Sequence, residues 1–146
     1  MPGMPAQPDP ITPAIRAFIE SPRFATLATV DPDGAARQAV VWYAVKPDGR
    51  ILLNGRTPRL WCANLVRDRR ISISIIDQAD GYRWVGLTGV VEEVIDEVGQ
   101  ARDDIVAIAH RYHPEGPTPG LIAAFRSQPR ISFLVRVTAV HDHLDG

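Results

Sequence analysis

Two turns of the same type constrain this chain most strongly. Residues 31–34 (Asp-Pro-Asp-Gly) and 46–49 (Lys-Pro-Asp-Gly) each combine a proline, which presets φ, with a glycine, which accepts a reversed backbone. Segments with strand character flank them, at 24–30, 37–45 and 50–54. Parallel strands need a long crossover between them, and these turns are too short to supply one. The sequence therefore predicts an antiparallel meander and not a parallel α/β unit.

The rest of the chain extends this pattern to six strands with few helices. Three further strands are predicted at 71–76, 83–94 and 131–140. Helices are predicted to begin at Thr12-Pro13 and to cover 99–113, with a helical turn at 121–125. Gly86 and Gly89 interrupt the long fifth strand and predict bulges or sharp bends there. The predicted fold class is mainly β (α+β), a six-stranded antiparallel barrel with short flanking helices.

Length and composition limit the domain organisation and the class of partner. The 146 residues predict a flexible proline-rich leader at 1–10 and a single domain at 11–146. A net charge of −1 argues against nucleic-acid binding. Cys62 is the only cysteine, which excludes an intramolecular disulfide and a cysteine metal cluster. With no secretion signal and no apolar run of membrane-spanning length, we expect a cytoplasmic protein.

The remaining titratable residues indicate exposed surface. The histidines form two pairs, 110 with 113 and 141 with 143, and a metal site needs three or four matched ligands. We therefore predict no metal site. Six carboxylates are predicted to lie on solvated faces: Glu92, Glu93, Asp96, Glu97, Asp103 and Asp104.

The segment 54–70 has the character of an anion site. Thr57 is a favourable N-cap and Pro58 fits the first helical position, so a helix is predicted to begin there. The N-terminus of a helix presents unpaired N–H groups and partial positive charge, which suit a phosphate. Arg56 and Arg59 flank this terminus. The charge pattern alone leaves two interpretations open, a phosphate site and an ordinary capped surface helix.

A set of ordered segments is more specific than any one motif. They read FATLATVDPDG (24–34), VVWYAV (40–45), GRILLN (49–54), NLVRDRRISISIID (64–77) and YRWVGLTGVVEEV (82–94). In order and spacing the chain resembles the pyridoxamine 5'-phosphate oxidase-like split-barrel family, in the branch that uses the deazaflavin coenzyme F420. The resemblance implies a six-stranded antiparallel split β-barrel that forms a homodimer, with two cofactor sites at the interface. It also implies an F420-dependent oxidoreductase that transfers a hydride between deazaflavin and a small unsaturated organic substrate.

The resemblance implies a cofactor site made from several parts of the chain. The cofactor phosphate and tail would be held after the third strand, the ring along the second strand, and the site would be closed by the partner subunit. No side-chain acid or base is implied, because the cofactor carries the reaction. The implied cofactor-binding residues are Arg37, Gln38, Val40, Asn54, Arg56, Arg59, Trp61, Asn64, Tyr82 and Trp84.

One departure from the family pattern leaves alternatives open. Trp61 stands where the family usually has a phosphate-binding lysine, and Ala63 replaces an arginine. Tryptophan cannot supply a charge-assisted hydrogen bond to phosphate, although Arg56 is close enough in sequence to compensate. The alternatives are an FMN-binding oxidoreductase of the same fold, or a non-redox ligand-binding dimer in which Trp61 fills part of the phosphate site. Trp42 and Trp84 also suit packing in a core or an interface.

Overall fold

A computed structural model describes residues 9–146. Most of the predicted leader, residues 1–8, lies outside the described residues. The described part forms seven strands and four short helices. The strands are β1 Ala25–Val30, β2 Ala36–Val41, β3 Ala44–Val45, β4 Ile51–Arg56, β5 Arg70–Asp77, β6 Asp80–Ile95 and β7 Arg130–His143. The helices are α1 Pro13–Glu20, α2 Leu60–Arg67, α3 Val98–Tyr112 and α4 Pro119–Ser127.

The strands form one antiparallel sheet that curls into a split barrel. Its strand order is β2-β1-β5-β6-β7-β4-β3, so β2 and β3 lie at opposite ends of the sheet. Only Trp42 and Tyr43 separate these two strands along the chain. The segment 36–45 therefore connects both ends of the sheet, which requires the sheet to curve. The predicted mainly β split-barrel fold with flanking helices is confirmed.

The strand count differs from the prediction because one predicted strand is divided. The structure splits the predicted strand 37–45 at Tyr43, which is fully buried and whose hydroxyl donates to the Ile19 carbonyl oxygen at 2.7 Å. The adjacent Trp42 ring stacks on Tyr112 with 4.9 Å between ring centroids. These two aromatic contacts turn the chain from one end of the sheet to the other, so β2 pairs with β1 and β3 with β4.

The helices follow their capping signals. The Thr12 hydroxyl accepts from the Ile15 N–H at 3.3 Å, and α1 begins at Pro13 as predicted. Helix α4 is longer than the predicted turn at 121–125, because the Thr118 hydroxyl caps it and accepts from the Leu121 N–H at 3.2 Å. No helix in the range 9–146 is both long enough and apolar enough to cross a membrane.

The predicted irregularity of the fifth strand is present at one of its two glycines. In β6 the pairing register shifts between Thr88 and Gly89. A Cβ on Gly89 would lie 2.6 Å from Val135 Cγ1 and 2.8 Å from the Arg136 carbonyl oxygen. Gly89 therefore allows β6 and β7 to approach closely at the bulge. Gly86 has no register shift and lies against Trp84 and His141.

One of the six carboxylates predicted to be solvated is buried. Asp104 on α3 is only 9% exposed, because it lies on the helix side that also buries Ala101 and Ile108. Its Oδ1 accepts from Gln100 Nε2 at 2.9 Å, and its Oδ2 has no partner among residues 9–146. The solvated prediction is wrong for Asp104, whereas the other five carboxylates are exposed.

Burial of two acidic groups predicts a loss of stability at alkaline pH. Burial raises the pKa of the Cys62 thiol to about 12, and burial is also the main cause of the raised pKa of the Tyr43 phenol. The unfolded chain releases these protons near pH ~8.5 and ~10, so the folded state holds them more tightly. The Cys62 contribution to stability is therefore complete below pH ~8.5 and the Tyr43 contribution below pH ~10. Above its own value each declines by about 1.4 kcal/mol per pH unit.

Urea unfolding at pH 7, 9 and 10.5 tests this prediction. The free energy of unfolding should fall from pH 7 to 10.5. A Cys62→Ala variant should show a smaller fall between pH 8.5 and 10, where only the thiol is titrating in the unfolded chain. A constant free energy of unfolding up to pH 10.5 would contradict the assigned burial.

Candidate functional site

Helix α2 begins later than the sequence predicts. The prediction that Thr57 caps this helix and Pro58 opens it is wrong: the helix begins at Leu60 with Arg59 as N-cap. The Thr57 N–H donates to the Pro129 carbonyl oxygen at 3.0 Å, which continues the contact between β4 and β7 by one residue. No side chain of the described residues caps α2, and the Cys62 N–H donates to the Arg59 carbonyl oxygen at 3.1 Å. The N–H groups of Leu60 and Trp61 are left for a ligand.

Gly55 sets the distance between α2 and β4. A Cβ on Gly55 would lie 2.2 Å from Cys62 Sγ and 2.7 Å from Trp61 Cζ2. Trp61 itself is only 5% exposed, and its ring centroid lies 5.9 Å from that of Phe133. The Trp61 side chain is therefore mainly part of the core beneath α2, which holds this helix against the strand.

A cleft of about 380 Å³ opens beside α2, and both polar and apolar side chains line it. The polar side chains, referred to as the polar end, are Asn54, Arg59 and Arg130. The apolar side chains, referred to as the apolar end, include Phe24, Val40, Trp42, Trp61, Ile105 and Phe125. The two sets meet where the Phe125 ring lies against the Arg130 guanidinium. The cleft suits a ligand with an anionic end and a planar or apolar body.

Arg59 and Arg130 line the polar end, and the exposed Arg56 lies beside Arg130. Arg56 and Arg130 lie directly opposite each other in the β4–β7 pairing, and Arg59 follows at the start of α2. Like charges in opposite positions of a sheet are destabilising. Within the described residues, none of these three arginines forms an ion pair with a carboxylate. This end of the cleft is therefore positively charged and favours an anion.

The electrostatic state of Arg130 agrees with this arrangement. Burial lowers the pKa of the Arg130 guanidinium, and the nearby charges of Arg59 and Arg56 lower it further. Each cause disfavours its positive charge. A bound anion would compensate both the burial and the repulsion.

The Asn54 side chain bonds to other residues of the fold, whereas the prediction was a direct contact with the cofactor phosphate. Its side chain is 7% exposed, and its Nδ2 donates to the Ala101 carbonyl oxygen and to Ser132 Oγ, each at 2.8 Å. Its Oδ1 accepts from an Arg130 terminal nitrogen at 3.3 Å. Both amide hydrogens on which a direct phosphate contact depends are thus used within the fold. In this arrangement Asn54 orients Arg130.

Two other predicted residues, Asn64 and Arg37, form hydrogen bonds with Asp31 outside the cleft. The Asn64 Nδ2 donates to Thr29 Oγ1 at 3.0 Å and to Asp31 Oδ1 at 2.7 Å. Arg37 Nε also donates to Asp31 Oδ1, at 2.8 Å. The bonds from Arg37 and Asn64 hold the pKa of the Asp31 carboxyl below its usual value. Both residues border a separate depression that includes Arg67, and their roles in cofactor binding stay predictions.

The last three predicted residues lie on the outside of the barrel. Gln38 is exposed on β2. Tyr82 is 80% exposed, and the Trp84 ring stacks on His141 and His143 at centroid distances of 5.0 and 5.5 Å. Neither aromatic residue lines the cleft of its own chain, as the prediction of a partner-subunit role requires.

Two cross-strand rows form an uncharged outer face over β2, β1, β5, β6 and β7. Neither row contains a lysine, arginine, aspartate or glutamate. From β2 to β7 the rows are Val40, Thr26, Ser74, Gly86 and His141, and Gln38, Ala28, Ser72, Thr88 and Ala139. Val40 is 67% exposed and belongs both to this face and to the lining of the cleft. The uncharged outer face therefore reaches the mouth of the cleft.

Arg130 and the apolar residues Phe24, Ile105 and Phe125 line the cleft but were not predicted as site residues. Arg130 follows Pro129 at the start of the last strand. This local pattern indicates where the strand begins and does not indicate a binding residue. The position of Arg130 opposite Arg56 depends on the register between strands that are about 75 residues apart in the chain. No local pattern carries that information.

Sequence comparison agrees with this fold. The model of the pyridoxamine 5'-phosphate oxidase family matches residues 11–141. The chain belongs to this family. The predicted resemblance is thereby confirmed. No curated protein sequence matches the chain.

Several solved structures share the fold. An F420 reductase is 25% identical with a TM-score of 0.73, covering 86% of this chain and 94% of its own. A conserved hypothetical protein of Mycobacterium tuberculosis is 26% identical with a TM-score of 0.72, covering 96% and 91%. A heme storage protein of Vibrio cholerae is 16% identical with a TM-score of 0.68, covering 90% and 94%, and shows the fold alone.

Proposed function

We propose that this family member is an F420-dependent oxidoreductase that transfers a hydride between the deazaflavin and a small unsaturated organic substrate. The observation that carries the proposal is that Arg59 and Arg130, which form no ion pair with a carboxylate among the described residues, line the same cleft as a set of apolar side chains. F420 combines a planar ring with a phosphate and a carboxylate tail, which matches this combination. The similarity to an F420 reductase supports the same cofactor.

The polar end fits the anionic part of such a cofactor. Arg59 and Arg130 line the cleft, and the uncapped N–H groups at the start of α2 lie next to Arg59. Arginine guanidinium groups bind phosphate through paired hydrogen bonds. Arg56 is exposed at the end of β4 and is available to a tail that extends beyond the phosphate. These groups would hold the phosphate and the start of the tail.

The apolar end fits the ring. Val40 and Trp42 come from the second predicted strand, and Phe125 and Ile105 come from α4 and α3. Trp42 is held in place by Tyr112 and by the edge of His113, at centroid distances of 4.9 and 5.5 Å. F420 supplies the hydride chemistry when bound. The protein would orient the ring and exclude water, and the substrate would lie against the exposed side chains of Phe24 and Val40.

We further propose that the uncharged outer face pairs with a second copy of the chain. Small, uncharged side chains on a regular sheet allow close approach without leaving charges buried. Because Val40 belongs to both the face and the cleft, a second copy on this face would also cover the cleft mouth. Tyr82 and Trp84 would then be available to close the partner's site. Two such sites per homodimer would lie at the interface.

A charge on this face tests the dimer. Ser74→Arg places a cation in the middle of the uncharged outer face. An unpaired buried charge costs about 3–5 kcal/mol, so we expect the dimer dissociation constant to rise more than about 100-fold. Analytical ultracentrifugation should show a dimer for the unmodified protein and a monomer for Ser74→Arg. Ala107→Arg, at an exposed position of α3, is the matched control and should remain dimeric. A dimeric Ser74→Arg protein would exclude this face as the interface.

Removing the arginine at the start of α2 tests the phosphate site. Arg59→Ala should weaken F420 binding by about 1.5–3 kcal/mol, the range for a hydrogen bond to a charged group. Fluorescence titration of F420 measures the change. Arg69→Ala is the control, because Arg69 is exposed outside the cleft and its guanidinium donates to the Val91 carbonyl oxygen at 3.4 Å. Equal affinity of the Arg59→Ala and unmodified proteins would remove Arg59 from the site.

Trp61 supports a second candidate function. Its burial against Phe133 leaves α2 without an inward-facing cation in its first turn. FMN has a shorter anionic end than F420 and could use the same arginines. A non-redox protein that binds an anionic apolar ligand in the cleft is also consistent with an uncharged residue at position 61. Direct comparison of F420 and FMN binding separates these candidates.

A further inference from the structure

Arg130 lies outside the segment 54–70, and tertiary contacts place it at the cleft. It begins β7, opposite Arg56 at the end of β4. Gln128 Oε1 accepts from its Nε at 3.0 Å and from a terminal nitrogen at 2.5 Å, while another terminal nitrogen donates to Asn54. The guanidinium carbon also lies 4.9 Å from the centroid of the Phe125 ring. Four contacts from three residues thus fix the guanidinium in one orientation.

These contacts orient Arg130 without neutralising it. Gln128 and Asn54 present uncharged amide oxygens, and the Phe125 ring is also uncharged. By contrast, many of the other arginines in the described range pair with a carboxylate, as Arg37 does with Asp31. A partly buried arginine that is held in place by neutral groups, beside two further arginines, has no carboxylate to neutralise it and gains from a bound anion.

Helix α2 itself offers no cation inside the cleft beyond its N-cap. Trp61 and Cys62 are the buried residues of its first turn, and Ala63 is the next residue. The positive charge within the cleft therefore comes from Arg59 at the helix start and from Arg130 across the sheet.

We propose that Arg130 is a principal anion-binding residue of the cleft, and that Gln128 and Asn54 are positioning residues that hold its guanidinium toward the ligand. The identity of the anion as the F420 phosphate rests on the proposed function, whereas the role of Arg130 rests on the contacts above. Trp61 carries no positive charge at the position on α2 where the family usually has a lysine. Arg130 at the start of β7 supplies a positive charge instead.

Two variants separate a binding role from a structural role. Arg130→Ala removes the charge and should weaken F420 binding by about 10- to 150-fold. Gln128→Glu keeps the shape of the contact but places a carboxylate against Arg130, so it should weaken F420 binding at least tenfold while the thermal unfolding midpoint stays equal or rises. A purely structural Arg130 predicts the opposite for Gln128→Glu, namely unchanged binding. Arg126→Ala is the matched control, since Arg126 pairs with Asp103 on the surface.

Inorganic pyrophosphate, titrated by calorimetry alongside F420, distinguishes failure of this inference from failure of the proposed function. F420 binding that is equal in the unmodified, Arg130→Ala and Gln128→Glu proteins would overturn the role of Arg130 and leave the cofactor proposal standing. If neither F420 nor FMN binds, but pyrophosphate binds and is lost in both variants, the inference is supported and the cofactor proposal fails. If F420, FMN and pyrophosphate all fail to bind the unmodified protein, the inference is overturned as well. If Arg130→Ala fails to fold, Gln128→Glu alone decides whether Arg130 binds the anion.

Discussion

Replacing Trp61 with alanine is expected to lower the free energy of unfolding by about 3–5 kcal/mol, the usual cost of truncating a buried tryptophan. The reason is its position between α2 and the sheet, where it is 5% exposed and contacts Phe133. Removal of the indole would leave a cavity below the polar end of the cleft. Urea unfolding followed by far-UV circular dichroism measures the loss.

Trp61→Phe is the control for this prediction. It keeps an aromatic ring against Phe133 and should lose less stability than Trp61→Ala, because the remaining cavity is smaller. If Trp61→Ala loses less than about 1 kcal/mol, a value typical of surface substitutions rather than cavities, Trp61 is not a core residue. A simultaneous loss of F420 affinity would then assign it to the cofactor site.

A side chain at Gly55 is expected to separate α2 from β4. In Gly55→Val the new Cβ would overlap Cys62 Sγ at 2.2 Å and Trp61 Cζ2 at 2.7 Å. Overpacking in a core costs about 1–3 kcal/mol and sometimes more, and two contacts this short place Gly55→Val at or above the upper end of that range. Since α2 carries Arg59, its displacement should also weaken F420 binding. Thermal unfolding and fluorescence titration measure the two effects.

A double variant tests whether the overlap with Cys62 is the cause of the lost stability. In Gly55→Ala, the nearest conflicting atom is Cys62 Sγ. Adding Cys62→Ala removes that atom, so Gly55→Ala/Cys62→Ala should be more stable than the sum of the two single changes predicts. Strict additivity would show that the helix adjusts without strain, contrary to the close packing described here.

The features that were predictable from the sequence are those with local causes. The two turns with glycine at positive φ, Gly34 and Gly49, produce the β1–β2 and β3–β4 reversals. The Thr12 cap begins α1, and the alternation of residues 71–76 places isoleucines 71, 73 and 75 in the core. Propensity, capping and alternation act over a few residues, so they can be read along the chain.

The features that were missed depend on distant segments. The Thr57 N–H is taken by Pro129, which delays the start of α2 although the local capping signal is favourable. Arg130 reaches Arg56 only through the register of β4 with β7. Likewise the division of the second predicted strand depends on Tyr43 contacting α1. In each case a tertiary contact overrides or adds to the local pattern.

The most direct test of the central claim is a fluorescence titration of cofactor-free protein with F420 and, in parallel, with FMN. The arginine end and apolar wall of the cleft predict binding of F420 at micromolar concentration or tighter, in preference to FMN. Tighter binding of FMN would contradict the choice of cofactor. Absence of binding to either would contradict a cofactor site in this cleft and would direct attention to a non-redox anionic ligand.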